Sequence, residues 1–150
     1  MRISADDCAR RLAASDHGVL ATRHATRGVD TVPVCFAVLG SRLAVPVDVV
    51  KAKSSTALQR TTNLAGDPRA SLLCERWDAD DWSALWWVRA TLRHDHAPED
   101  VDVLADALRT KHAQYRGATF AALLVFDVVG LAGWAASDVP ESLGVGRPGD

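Results

Sequence analysis

The stretch Asp48-Val49-Val50-Lys51-Ala52-Lys53-Ser54-Ser55 carries the clearest chemical signal in the sequence. In extended backbone, residues two apart send their side chains the same way, so Lys51 and Lys53 aim two ammonium groups together. Ser54 and Ser55 follow with hydroxyls and the free N–H groups of a helix start. Two cations, hydroxyls and a helix amino end make an anion site suited to a phosphate. The same parts also make a solvated basic loop with an ordinary serine cap, and both readings stand at this point. Arg60 lies one to two turns further along the same helix. The second signal is aromatic: Trp77, Trp82, Trp86 and Trp87 flank a turn that carries Asp78, Asp80 and Asp81. Adjacent residues of a strand face opposite sides, so Trp86 and Trp87 divide between the core and a pocket, solvent or partner. A cluster on both faces of one hairpin fits an oligomer interface, and it can also stack against a planar ring.

Other reactive residue types do not assemble. His94-Asp95-His96 offers two metal ligands without a third, where a metal site needs three or four, so a surface loop is the simpler reading and no metal is expected. Cys8, Cys35 and Cys74 are odd in number and scattered, which argues against a disulfide framework. Cys35 and Cys74 lie in apolar runs with no neighbouring base. Tyr115, the only tyrosine, follows a helix in Gln114-Tyr115-Arg116-Gly117 and reads as a cover over the core. No nucleophile elbow, Walker loop or dinucleotide fingerprint is present. With no acid–base constellation among its side chains, and so no catalytic residue to name, the protein needs a bound cofactor for any covalent chemistry.

The chain that positions these residues has 150 residues, 48% hydrophobic and 24% charged, with a formal charge of -2. That length suits one domain with a sizeable core, and the mild acidity excludes nucleic-acid binding by bulk charge. The first residues hold Asp6 and Asp7 and no apolar h-region, which reads as a cytoplasmic protein. Between Ala118 and Ser137 the only charge is Asp127, close to the length of a membrane span. A central carboxylate and two glycines, Gly130 and Gly133, favour two buried strands joined by a turn.

Ser4 before Asp6 and Asp7 predicts a helix to about Ser15. Strands are predicted at Val19–Thr22, Thr31–Leu39 and Arg42–Asp48, the last two joined by the turn Gly40-Ser41. A helix from Ser54 or Ser55 ends near Asn63, and strands follow at Arg69–Trp77 and Leu85–Arg93. A helix opened by Pro98-Glu99-Asp100 shows an apolar face in Val101, Leu104, Ala105 and Leu108. Two last strands, about Ala121–Val128 and Leu131–Ala136, complete a mainly β architecture, a small closed antiparallel barrel with a few short helices. The domain is expected to end at residue 137, with a mobile tail over 138–150.

Read in order, the residues resemble the flavin-type split-barrel superfamily related to pyridoxamine 5'-phosphate oxidases, and within it the actinobacterial branch that uses the deazaflavin coenzyme F420. The specific stretch is Asp80-Asp81-Trp82-Ser83-Ala84-Leu85-Trp86-Trp87-Val88-Arg89. It is supported by Gly18 to Thr22, Val32 to Ala37, Asp48 to Ser54, Leu58-Gln59-Arg60, Asn63-Leu64, Asp67-Pro68-Arg69, and Gln114-Tyr115-Arg116 with Gly133-Trp134. The resemblance implies a homodimer of six-stranded split barrels with cofactor sites at the subunit interface. It further implies that Lys51, Lys53, Ser54 and Ser55 hold the phosphate. Val32, Pro33, Val34 and Cys35 then touch the ring chiefly through backbone, and Trp77, Trp86 or Trp87 help close the pocket. Where the family usually has Pro, this sequence has Ala52.

The expected activity is hydride transfer between reduced F420 and an unsaturated small organic molecule, without nucleic acid or membrane as partner. An FMN-dependent oxidase or reductase of the same fold, a non-catalytic flavin or deazaflavin carrier, and a purely structural dimer are the other readings.

Overall fold

A computed structural model describes residues 1–47 and 55–137. Helix α1, Ala5–Ala14, begins as expected: Ser4 accepts a hydrogen bond from the Asp7 N–H, and Cys8 and Leu12 form its buried side. Strands β1 (His17–His24), β2 (Gly28–Cys35), β3 (Ala37–Leu39) and β4 (Arg42–Val47) follow. Then come helix α2 (Ser55–Gly66), strands β5 (Arg69–Arg76) and β6 (Trp86–Asp95), helix α3 (Val101–Lys111) and strand β7 (Ala122–Ala135). The predicted tail over 138–150 lies outside the described residues. No described helix is long and apolar enough to cross a membrane.

All seven strands form one sheet in the order β2-β1-β5-β6-β7-β4-β3, and every pairing is antiparallel. The two edges of that sheet, β2 and β3, are consecutive in the chain and separated only by Phe36. One extended run, Gly28 to Leu39, therefore pairs with β1 at one edge and with β4 at the other, and so closes the sheet into a barrel. The count is seven strands and not six because the run breaks at Phe36, which is fully buried. Turns are read well locally: Gly40, at φ 60°, occupies the left-handed region that a two-residue hairpin turn requires, and Leu39 pairs with Arg42.

The carboxyl end of the barrel corrects the sequence reading. The region read as two strands with a turn is the single 14-residue strand β7. Its pairing with β6 slips between Thr91 and Leu92, where Thr91 faces Gly130 and Leu92 faces Val128, leaving Val129 as a bulge. A bulge bends a strand without ending it, and Gly130 marks that bend. Gly133 serves close packing: a Cβ there would lie 2.8 Å from Cys8 Sγ and 2.9 Å from the Trp87 carbonyl. Helix α2 also runs one turn past Asn63, to Gly66.

The core alternates as a barrel interior must. Leu20, Leu72, Val88, Ala90, Leu92, Leu43, Val45 and Phe126 point inward from five strands, with Leu64 of α2 and Leu12 of α1 closing the ends. A second cluster joins Leu104 and Leu108 of α3 to Ala44 and Val125.

One guanidinium ties the outside together. Arg42 donates through Nε and NH2 to both Asp100 oxygens at 2.8 Å, through NH2 to Asp95 at 2.8 Å and through NH1 to Asp127 at 2.9 Å. Four elements thus meet at one cation: β4, the end of β6, the start of α3 and β7. The Ala97 N–H and Arg42 hold Asp95 below the usual carboxylate range, and Arg42 does the same for Asp100. Depressed folded pKa values stabilise the fold above the ordinary carboxylate range, and that contribution disappears as pH falls through the depressed values. We expect the urea midpoint to fall on acidification, and to fall less steeply in Arg42→Met. Parallel curves for the two proteins would contradict this role.

Candidate functional site

Strand β2 has a ladder partner on one side only, β1, among the described residues. Pro33 sits opposite Val19 and has no N–H to give, so it fits the ladder only where its nitrogen faces the open edge. By alternation, Val29 and Thr31 also turn their N–H and C=O groups to that edge, while Asp30, Val32 and Val34 carry the bonds to β1. An open strand edge is a row of backbone donors and acceptors, which is the contact expected for a planar polar ring.

A cavity of about 480 Å³ opens against this edge, lined by Arg27, Val29, Asp30, Thr31, Val32 and, from α2, Gln59 and Arg60. Pockets of roughly 300–1,000 Å³ hold cofactor-sized ligands. Helix α2 is locked onto the barrel by Asn63, which is 4% exposed and donates to Thr22 Oγ1 at 3.0 Å and to Asp30 at 2.9 Å. Hydrogen bonds from Asn63 first, and from Arg27, keep the Asp30 carboxyl below the usual range, so it is ionised at neutral pH.

Of the residues singled out in the sequence, Val32 lines the cavity, and Pro33, Val34 and Cys35 continue β2 beyond it, with Val34 buried. Ser55 is the first residue of α2, the helix that supplies Gln59 and Arg60. Lys51, Lys53 and Ser54 lie outside the described residues. The tryptophans sit elsewhere in the subunit. Trp86 and Trp87 pair with Arg76 and Glu75 at the end of the barrel where His17 meets Cys35, whereas Val29 belongs to the other half of β2 and Arg27 to the turn before it. As alternation predicts, Trp86 packs against the core beneath Arg11 and Trp87 faces outward beside Trp134. Trp77 and Trp82 are 64% and 65% exposed, with ring centroids 6.0 Å apart.

The remaining candidates read as structural. His94 and His96 meet edge to face at 4.6 Å, and no group of three potential metal ligands occurs among the described residues. Burial pushes the Cys74 thiol up to about 11, which removes it as a thiolate nucleophile at neutral pH. Asp30 was not singled out in the sequence, and Gln59 and Asn63 entered only as parts of the resemblance, with no role assigned. Their signal was slight: Gln59 and Asn63 are one turn apart on a helix, and nothing local links either to Asp30.

No protein-family model and no curated protein matches the sequence. Solved structures do match. A FAD-binding protein from Mesorhizobium loti aligns with a TM-score of 0.64 at 16% identity, over 89% of this chain and 93% of that one. A protein described as a pyridoxamine 5'-phosphate oxidase, from Corynebacterium glutamicum, aligns at 0.56 with 11% identity, over 89% and 90%. The fold is the pyridoxamine 5'-phosphate oxidase-like split barrel. A heme-binding protein from Mycobacterium smegmatis shares the split barrel at 0.64 with 18% identity, over 91% of this chain and 60% of that one. The three share an architecture and differ in what they bind or act on, so the ligand of this split barrel must be argued from its own cavity.

Proposed function

We propose that this split barrel binds a flavin-type cofactor in the cavity between β2 and α2 and works as an oxidoreductase on a small unsaturated molecule. The observation that carries the reading is that cavity: it has the size of a cofactor site, an open backbone edge for a ring, and Arg27 and Arg60 beside it. Lys51, Lys53, Ser54 and the amino end of α2 fit the phosphate, and Val32 to Cys35 fit the ring. F420 is our first choice of cofactor and FMN the second. When bound, either supplies hydride transfer. The chain's own residues bind, orient and exclude water. Asp30, the carboxylate in the cavity, is committed to Arg27 and Asn63 and is not free to move a proton.

The reading includes a homodimer. Val19, Leu73 and Trp134 stand 38–39% exposed on the outer face of the barrel, where Val19 pairs with Leu73 and Trp134 with Trp87. A second copy would cover this apolar strip and bring the exposed Trp77 and Trp82 of one subunit toward the other. Trp134→Glu should convert the dimer to monomers in sedimentation equilibrium, while Trp87→Ala separates an interface role from ring stacking by mass against affinity. A wild-type protein that sediments as a monomer would remove the dimer from this account.

The cofactor is tested by titrating the purified full chain with F420, FMN, FAD and heme, following absorbance and fluorescence. We expect F420 or FMN to bind at micromolar concentration or below. Saturation by heme with no response to any flavin or deazaflavin would overturn the reading.

A further inference from the structure

Asp30 stands where two hydrogen-bond systems cross. Its Oδ1 accepts from Arg27 Nε at 3.0 Å, and its Oδ2 accepts from Arg27 NH2 at 2.9 Å and from Asn63 Nδ2 at 2.9 Å. The second system continues along α2, where Asn63 Oδ1 accepts from Gln59 Nε2 at 2.8 Å. An ionised carboxylate can only accept, so the Asn63 end that faces it must be the NH2. The Asn63 oxygen then faces Gln59, and Gln59 must answer with its own NH2. The carbonyl oxygen is the end of the Gln59 amide left for a ligand. One charge thus fixes the orientation of two amides in succession, and the first of them is buried.

The other system fixes a donor. Two parallel bonds to Asp30 engage two of the five N–H groups of Arg27. The remaining ones belong to a guanidinium that cannot rotate away without breaking those bonds. Arg27 and Gln59 line the same cavity as Asp30.

We propose that Asp30 is the positioning residue of this cavity: through Asn63 and Arg27 it presents a fixed acceptor, the Gln59 carbonyl, with a fixed donor, the Arg27 guanidinium, to a hydroxyl-bearing chain of the ligand. A polyol is the matching chemistry, because each hydroxyl both donates and accepts. The inference rests on the cavity being the cofactor site, and it adds that the linker between ring and phosphate is read there.

The test uses three flavins that differ in this respect. Lumiflavin has the ring alone, riboflavin adds the polyol, and FMN adds the phosphate. The full chain should prefer riboflavin over lumiflavin by about tenfold, the size of one or two hydrogen bonds. Asp30→Asn and Gln59→Leu should each bring that ratio near one and leave the preference of FMN over riboflavin unchanged. Equal binding of lumiflavin and riboflavin by wild type, or an unchanged ratio in Asp30→Asn, overturns the proposal while leaving the cofactor site standing. Failure of all three flavins and of F420 to bind removes the cofactor reading itself, and the polyol with it. The positioning role has a separate readout in the side-chain amide NMR signals of Gln59 and Asn63. They should be protected from solvent exchange in wild type and released in Asp30→Asn, and free exchange in wild type contradicts the relay.

Discussion

Replacing both Lys51 and Lys53 by alanine should weaken binding of a phosphate-bearing flavin by about 1–3 kcal/mol for each lost charge-assisted bond. The argument runs from sequence to site. The two ammonium groups stand two residues apart immediately before α2, and α2 carries Gln59 and Arg60 into the cavity against β2. A phosphate at the head of that helix also meets unpaired backbone N–H groups, so some affinity should survive the double substitution. The loss must be specific to the phosphate: riboflavin, which has none, should bind wild type and variant alike. Removing two cations should also make binding less sensitive to salt. Unchanged FMN or F420 affinity would return these lysines to the solvated-loop reading.

The second large effect is one of packing. Gly133→Val should lower stability by about 1–3 kcal/mol or more, the range for overfilled cores. A Cβ at this position meets Cys8 Sγ at 2.8 Å, Ile3 Cδ1 at 2.9 Å and the Trp87 carbonyl oxygen at 2.9 Å. The carbonyl belongs to the paired backbone of β6 and cannot retreat, so α1, which carries Cys8, must lift from the sheet. Gly130→Ala is the matched control. Its Cβ would find nothing closer than Thr91 Cβ at 3.7 Å, an ordinary contact. Urea midpoints for the two variants should separate clearly, and equal midpoints would mean that α1 yields freely.

Local signals in the sequence translated well into local structure. Ser4 with its acidic followers gave α1, Gly40-Ser41 gave the hairpin, and the apolar face of Val101 to Leu108 gave α3, because caps, turns and helical faces depend on neighbours a few residues away. The closing of the barrel did not follow from such signals. Nothing near Phe36 says that the strand it interrupts pairs with β1 on one side of the break and with β4 on the other. Gly130 and Gly133 were misread for a related reason. Glycine marks a turn, a bulge or a close approach alike, and only the packing of α1 on β6 and β7 shows that Gly133 is the last of these.

The candidate site divides in the same way. The K-x-K-S-S stretch and the β2 segment from Val32 to Cys35 could be read as lines of sequence. The Asp30–Asn63 contact spans 33 residues and joins a strand to a helix, so it exists only once the barrel is closed. Arg42 is a similar case: its three carboxylates lie 53, 58 and 85 residues away. Lysine is scarce in this sequence, and two of its only three, Lys51 and Lys53, fall within the few residues that precede α2.

The most direct measurement is a crystal structure of the full chain with F420 or FMN bound. The account predicts the ring along the open edge of β2 at Val32 to Cys35 and the phosphate at the amino end of α2. It would be contradicted by the cofactor lying elsewhere, such as the apolar groove that Ala5, Ala9 and Leu12 of α1 form with Val129 and Leu131 of β7.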